Sequence, residues 1–342
     1  MWIINPVHNP GWDLVVALHR DAGCFHTSAW AKVLHRTYNH QPFYLQFSRG
    51  RRLAALIPLM EVCSALTGRR GVCLPFSDMC EPLIFDPEVV HLVRDRVLRL
   101  ARERRWKHLE IRGGTSFQPA GNSTAKFYGH TLDLRARAEK LADRFSSPVR
   151  RAIRKAERNG VSAEIVRNRQ AITDFYKLHV QTRRRHGLPP QPASFFMNIY
   201  EHIIKPGLGF VVLAQQRSRS IAAAIFFRFG KNAIYKYGAS DQKFQEFRAN
   251  NVVMWQGIQF LVRNGAEKLH FGRTECENDG LRRFKLSWAT EEETIAYFRV
   301  DPSGRERLVA APSDSGFHKK IFARLPLAVN RLAGAMIYPH LD

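Results

Sequence analysis

The sequence predicts a mixed α/β protein made of two consecutive units with one shared element order. Three observations predict it. Between Ala163 and Val300 the apolar periodicity reads strand, helix, helix, three strands, helix, strand, short helix, strand. A less regular version of that order occupies the first 145 residues. The chain has 342 residues, 45% hydrophobic and 11% aromatic, enough to fill cores in two domains of ordinary size.

In the first unit, Thr27 or Ser28 opens a helix through Leu34. Strands follow at Pro42 to Ser48, Leu53 to Met60, Val62 to Leu66 and Gly71 to Pro75, with turns at Arg49-Gly50-Arg51 and Thr67-Gly68. Asp86-Pro87 is a cap followed by proline at the first helical position, and Val90, Val93, Val97 and Leu100 share one face of the helix behind it. Lys107 to Arg112 and Lys126 to Leu134 close the unit as strands. Ser147-Pro148 then starts a helix that Gly160 stops. Its Arg150, Arg154 and Arg158 stack four apart on one ridge, beside Arg151 and Lys155, with Val149, Ile153 and Ala156 on the other side. Such a ridge suits either solvent or a phosphate-bearing partner.

In the second unit, Ser162 to Val166 alternates as a strand and Ala171 to His186 is a helix ended by Gly187-Leu188-Pro189-Pro190. A second helix spans Ser194 to Ile204. Gly209 to Gln215, Ile221 to Phe229 and Asn232 to Ala239 form a meander. Asn250 and Asn251 are read as caps of the helix Val252 to Asn264. The strand Leu269 to Arg273, a short helix within Gly280 to Trp288, and the strand Thr294 to Val300 complete it. The tail from Phe317 to Tyr338 is amphipathic and basic, interrupted by Pro326. The expected divisions are 1–145, a linking helix 146–160, 161–312, and a tail 313–342.

Composition narrows the class. Lys and Arg number 53 against 30 Asp and Glu, a net charge of +23, and such a field attracts RNA, DNA, an anionic membrane surface or a phosphate-bearing substrate. The five cysteines are scattered, with no C-x-x-C pair or zinc spacing, so reduced thiols and no metal site are expected. No apolar run approaches the length of a membrane span, and the first residues, Met1-Trp2-Ile3-Ile4-Asn5-Pro6, do not read as a signal peptide. The expected location is the cytoplasm, with peripheral contact to the inner membrane surface as an extension of it.

Several stretches carry a family resemblance. They are Thr182 to Pro192, Tyr235-Lys236-Tyr237-Gly238-Ala239-Ser240-Asp241, His270-Phe271-Gly272-Arg273-Thr274, and Gly280-Leu281-Arg282-Arg283-Phe284-Lys285-Leu286-Ser287-Trp288. In the first unit they are Ile57-Pro58-Leu59 and Leu74-Pro75-Phe76-Ser77-Asp78. In this order the chain resembles a tandem of GNAT (acyl-CoA N-acyltransferase) folds, as in the Fem peptidyltransferases that add amino acids to cell-wall precursors. It resembles most the FemAB-like or CelD-like branch associated with polysaccharide and envelope gene sets.

The resemblance implies acyl or aminoacyl transfer to an amine on an anionic or lipid-linked envelope or polysaccharide precursor. The co-substrate is acyl-CoA or aminoacyl-tRNA, with no tightly bound cofactor. Lys285, with Phe284, is implied to stabilise the oxyanion of the tetrahedral intermediate. Arg183, Arg184, Arg273, Lys236 and Asp78 are implied substrate contacts, with Asp78 or Glu275 also weighed as a base. Arg248, Asn250 and Asn251 are implied to meet the donor's pyrophosphate at a helix N-terminus. Here the chain departs from the family. Gln245-Glu246-Phe247-Arg248-Ala249-Asn250-Asn251 has no glycine where a coenzyme A loop carries them. The first unit has Gly113-Gly114-Thr115-Ser116-Phe117-Gln118 where a Phe-Lys segment would stand, which points to one catalytic unit. A different class is also open: a noncatalytic RNA- or membrane-surface-binding protein that keeps the fold and uses its basic faces.

Overall fold

The computed structural model describes residues 1–114, 123–305 and 316–341. The divide at 312/313 and the stretch 115–118 lie outside them.

Contacts separate two compact units, Met1–Tyr128 with Thr294–Ser313 and Ile337–Asp342, and Gly129–Glu293 with Asp314–Met336. These units are not contiguous along the chain, unlike the expected divisions at 145, 160 and 312. The strand Ala125–Asp133 begins in the first unit, and its residues 131–133 pair with Lys268–His270 in the second. Conversely, residues 297–300 of the strand Glu291–Val300 pair with Leu109–Arg112 in the first unit. Each unit's sheet is thus completed by a strand from a distant part of the sequence. Periodicity reports that a segment is a strand and is silent on which sheet takes it.

In the first unit a four-stranded sheet has the order Trp2–Ile4, Tyr44–Arg49, Arg52–Ile57, Leu83–Ile84. A second sheet takes Gln41–Pro42, Met60–Ser64, Gly68–Cys73 and Leu109–Arg112 in order. The expected single strand Pro42 to Ser48 is therefore divided between two sheets at Phe43. The expected strand Leu53 to Met60 breaks in the same way at Pro58-Leu59, where the missing proline N–H ends the ladder. The helices Ser28–Tyr38 and Val90–Glu103 stand where expected, the second after a short turn capped by Asp86.

In the second unit the sheet order is Ser162–Val166, Gly209–Gln216, Arg219–Phe229, Asn232–Ser240, Lys268–His270, then the end of Ala125–Asp133. All neighbours are antiparallel except Asn232–Ser240 against Lys268–His270, which run parallel. The helices Ser147–Arg158 and Ala249–Arg263 cover one face, where Val149, Ile153, Val253 and Ile258 join Phe210 and Phe226 in the core. The helices Arg169–Arg185 and Ala193–Ile199 cover the other, where Phe175 and Phe196 pack on Tyr237. The basic helix, expected as a linker, is thus core to this unit by its apolar side. Its ridge Arg154, Lys155 and Arg158 stays exposed.

Each unit encloses an imidazole whose pKa burial lowers strongly, His26 in the first and His179 in the second. His26 accepts from the Gly23 amide through Nδ1 and donates from Nε2 to the Glu81 carbonyl at 2.8 Å, and burial lowers it to about 4. His179 pairs with the Gln191 amide oxygen at 2.8 Å, and burial, then the nearby Arg183 charge, lower it to about 3. Both folded values lie below the unfolded value near 6.5, so the stability they contribute is whole above that pH and lost as pH falls through it. Between pH 7 and 4 the loss is about 3 kcal/mol per imidazole. Urea midpoints at pH 7 and 4.5 should therefore differ strongly, and His179→Leu should flatten part of the acid limb. Equal midpoints would contradict the assignment.

Candidate active site

The parallel pair at the centre of the second unit is short. Asn232, Ala233 and Ile234 pair with Lys268, Leu269 and His270, and the pairing stops there. The strand Asn232–Ser240 runs on for six residues, held on its other side by Arg219–Phe229 as far as Ser240. Past His270 the neighbouring chain turns away through Gly272, whose φ of +73° lies in the left-handed region that glycine enters without strain. The sheet therefore opens as a wedge from Ile234 and His270 outward. A bulge sits on that opening strand: Ile225 pairs with Tyr237 and Phe226 with Tyr235, which makes Lys236 the extra residue.

The bulge corrects one expectation. A regular strand from Asn232 to Ala239, as its alternation predicts, would put Tyr235 and Tyr237 on one face opposite Lys236. Instead Tyr235 packs against Phe226 and Phe271, while Tyr237 packs against Phe175, Phe195 and Phe196 on the other face. The extra residue inverts the alternation. Lys236 is half-buried, with its ammonium 5.3 Å from the centre of the Tyr237 ring.

Lys285 lies at the turn that ends the short strand. Its helix, Asp279–Leu286, is capped by Asn278, whose side chain accepts from the Leu281 amide at 3.0 Å. Lys285 is 3% exposed, and its ammonium donates to the Gly272 carbonyl at 2.7 Å and the Arg273 carbonyl at 3.0 Å. The cation thus holds the left-handed turn and leaves a positive charge in a largely dry position, where Coulomb effects are strong. Phe284, half-buried, meets Trp288 edge-on at 6.2 Å. Leu281, on spacing a core residue, is exposed.

Sequence reading missed the group around Lys285. His130, fully buried, directs Nε2 at the Glu292 carboxylate at 3.0 Å, and Arg282 holds the same carboxylate with two bonds of 2.7 Å. A carboxylate accepts, so the proton sits on His130 Nε2, and Nδ1 is a buried acceptor without a hydrogen-bond donor. Burial and then the Lys285 charge lower its pKa, while Glu292 opposes them. His130 is 162 positions from Glu292 in sequence, while Arg282 and Glu292 are 10 apart. The one signal was a histidine at position 130 within the expected strand Lys126 to Leu134, since Glu292 lies before the expected strand Thr294 to Val300.

The remaining site residues fall in several places. At the end of the helix Arg169–Arg185, Thr182 exchanges bonds with Ser240, donating to its carbonyl at 3.2 Å and accepting from its amide at 3.0 Å. Arg183 donates to the Pro189 carbonyl at 3.2 Å, and Arg184 donates to the Ala323 carbonyl at 3.3 Å. Arg184 is half-buried there, and the bond uses only its Nε–H. Arg273 is half-buried beside the Lys285 turn.

The helix after the wedge strand starts at Ala249, three residues earlier than expected, so Asn250 and Asn251 stand in its first turn and do not cap it. The cap position is Arg248 at φ +57°, a left-handed turn made without glycine, with its side chain exposed. Asn250 donates to the Ser240 hydroxyl at 3.4 Å.

Asp78 belongs to the first unit. Its loop is fixed through backbone carbonyls: Arg112 donates to those of Leu74 and Ser77, Trp30 to Pro75, and the Tyr297 hydroxyl to Asp78 at 2.6 Å. Phe76 in that loop has φ +56°, a strained conformation for a bulky residue. Among the described residues no group of His, Cys, Asp and Glu has the arrangement of a metal site.

Residues 143–286 match the model of the acetyltransferase (GNAT) domain family. No curated protein sequence matches the chain. Among solved structures, FemX aligns with a TM-score of 0.69 at 15% identity, covering 86% of this chain and 96% of that one. L-PGS from Bacillus licheniformis aligns at 0.57 and 12% identity, covering 95% and 100%. The C-terminal domain of a putative lysylphosphatidylglycerol synthetase from Agrobacterium fabrum aligns at 0.54 and 14%, covering 83% and 89%. The wedge between parallel strands, the bulge and the helix behind it therefore belong to a mixed α/β fold of GNAT topology.

Proposed function

We propose that the chain is an N-acyltransferase or aminoacyltransferase. It moves an acyl group from acyl-CoA or aminoacyl-tRNA to an amine on an anionic envelope or polysaccharide precursor. The observation that carries the proposal is the wedge after Ile234 and His270 with the buried Lys285 ammonium at its edge. The acceptor amine attacks the donor's carbonyl carbon, the new C–N bond forms, and the carbonyl electrons move onto oxygen. Lys285 lowers the energy of that oxyanion. The oxyanion then re-forms the carbonyl as the C–S bond of a thioester or the C–O bond of an ester breaks, and the leaving group takes the proton lost by the amine.

The neutral His130 beside Lys285 keeps a second cation out of the site, and Glu292 with Arg282 fixes its tautomer. The first turn of the helix Ala249–Arg263, with Arg248, receives the donor's phosphate. Arg183, Arg184, Arg273 and Lys236 are proposed substrate contacts of the second unit, and Asp78 a proposed substrate contact of the first. The two units are proposed as a tandem of related domains, the first without catalytic residues. An envelope acceptor is favoured by the net charge of +23 and by the name of one similar structure, a synthetase of an aminoacylated anionic lipid.

Calorimetry with acetyl-CoA and filter binding with an aminoacyl-tRNA test the donor side. One of the two should bind and be released by its deacylated product. If neither binds, the proposal fails.

A further inference from the structure

The last helix of the chain packs inside out. In Leu327–Ile337 the buried positions are Asn330 and Gly334, while Val329, Leu332 and Met336 are 47%, 63% and 66% exposed. Residues 329, 332 and 336 form one stripe, and 330 and 334 lie on the opposite side. A helix held only by burial of its apolar side chains would be turned by half a revolution.

Its buried side is held by close contacts. A Cβ at Gly334 would lie 1.9 Å from the Pro190 carbonyl oxygen, so only glycine permits this approach. Asn330 donates from its side chain to the Phe322 carbonyl at 3.3 Å, in the preceding helix Gly316–Arg324. That helix adds Ile321, 41% exposed, with exposed Lys320 and Arg324.

Charge decides what covers this face. Residues 316–341 contain no Asp or Glu, and the whole chain carries +23. A second copy would bring like charge and no acidic partner from this segment. An anionic bilayer offers apolar depth for the stripe and phosphates for its flanks.

We propose that this face docks on an anionic phospholipid surface. Val329, Leu332 and Met336 enter the boundary between headgroups and acyl chains, and Lys320 and Arg324 meet lipid phosphates, while Arg331 stays on the Tyr176 ring, 5.5 Å from its centre. No helix among the described residues is long and apolar enough to cross the membrane, so the mode is peripheral. The inference does not depend on the transferase reading, and its test needs no turnover.

The test is sedimentation of the full chain with vesicles of equal parts phosphatidylglycerol and phosphatidylcholine, and with phosphatidylcholine alone. The chain should pellet with the first and stay in solution with the second. Val329→Ser, Leu332→Ser and Met336→Ser together should weaken binding about tenfold or more at an unchanged melting temperature. Lys320→Gln and Arg324→Gln should each cost about fivefold. Three outcomes would overturn the proposal: failure of the unaltered chain to pellet, equal binding by the triple serine variant, or a dimer that the triple variant dissolves.

Discussion

Lys285→Met is expected to lower kcat by about a hundred- to a thousandfold, the usual cost of removing one oxyanion donor. Methionine keeps the stem and loses the ammonium. KM for either substrate should change little, since the charge it answers exists only on the way to the tetrahedral intermediate. The sequence alone suggests that such a variant folds normally. The geometry adds a cost, because the Gly272 and Arg273 carbonyls both accept from this ammonium. Each carbonyl left without a donor costs about 1–3 kcal/mol, so the melting temperature should fall as well. The two effects separate in the kinetics. A lysine that only holds the turn would give a less stable enzyme with normal kcat per folded molecule, and that result would remove Lys285 from the chemistry.

The contrast between what was legible and what was not follows from the range of the signals. The meander Gly209–Gln216, Arg219–Phe229, Asn232–Ser240 is local, and its alternation and turns mark it within a residue or two. The stop at Gly160 and the break at Pro326 are equally local. Lys285 was found through a resemblance, since on spacing alone a lysine of a short amphipathic helix reads as solvated. His130 had no such signal, because its partner is 162 positions away on another strand.

The Lys236 bulge was invisible for a different reason. Tyr235-Lys236-Tyr237 looks like regular alternation, and the slip is imposed by the pairing of two strands whose lengths differ across the turn. The start of the helix at Ala249 was misplaced because Asn250 and Asn251 are good caps by type. The chain instead spends a left-handed Arg248 to begin the helix earlier, next to the wedge strand. The strands Ala125–Asp133 and Glu291–Val300 join sheets built from distant parts of the chain, which local periodicity does not encode.

Arg154→Glu, Lys155→Glu and Arg158→Glu together are expected to separate the two donors. The basic helix Ser147–Arg158 presents these three side chains to solvent while Val149, Ile153 and Ala156 fix its other side in the core, so reversing them leaves the fold intact. If the donor is aminoacyl-tRNA, the ridge neutralises backbone phosphates. Reversing three charges should then weaken binding by about a hundredfold at low salt and make the dependence on salt shallower. If the donor is acyl-CoA, its few phosphates are met at the first turn of Ala249–Arg263 and the triple variant should bind it as the unaltered chain does. Filter binding across a salt series, beside calorimetry with acetyl-CoA, reads both arms. A variant that keeps full affinity for tRNA would show that the ridge is a solvated face, and the charge of this chain would then have to act through its other surfaces.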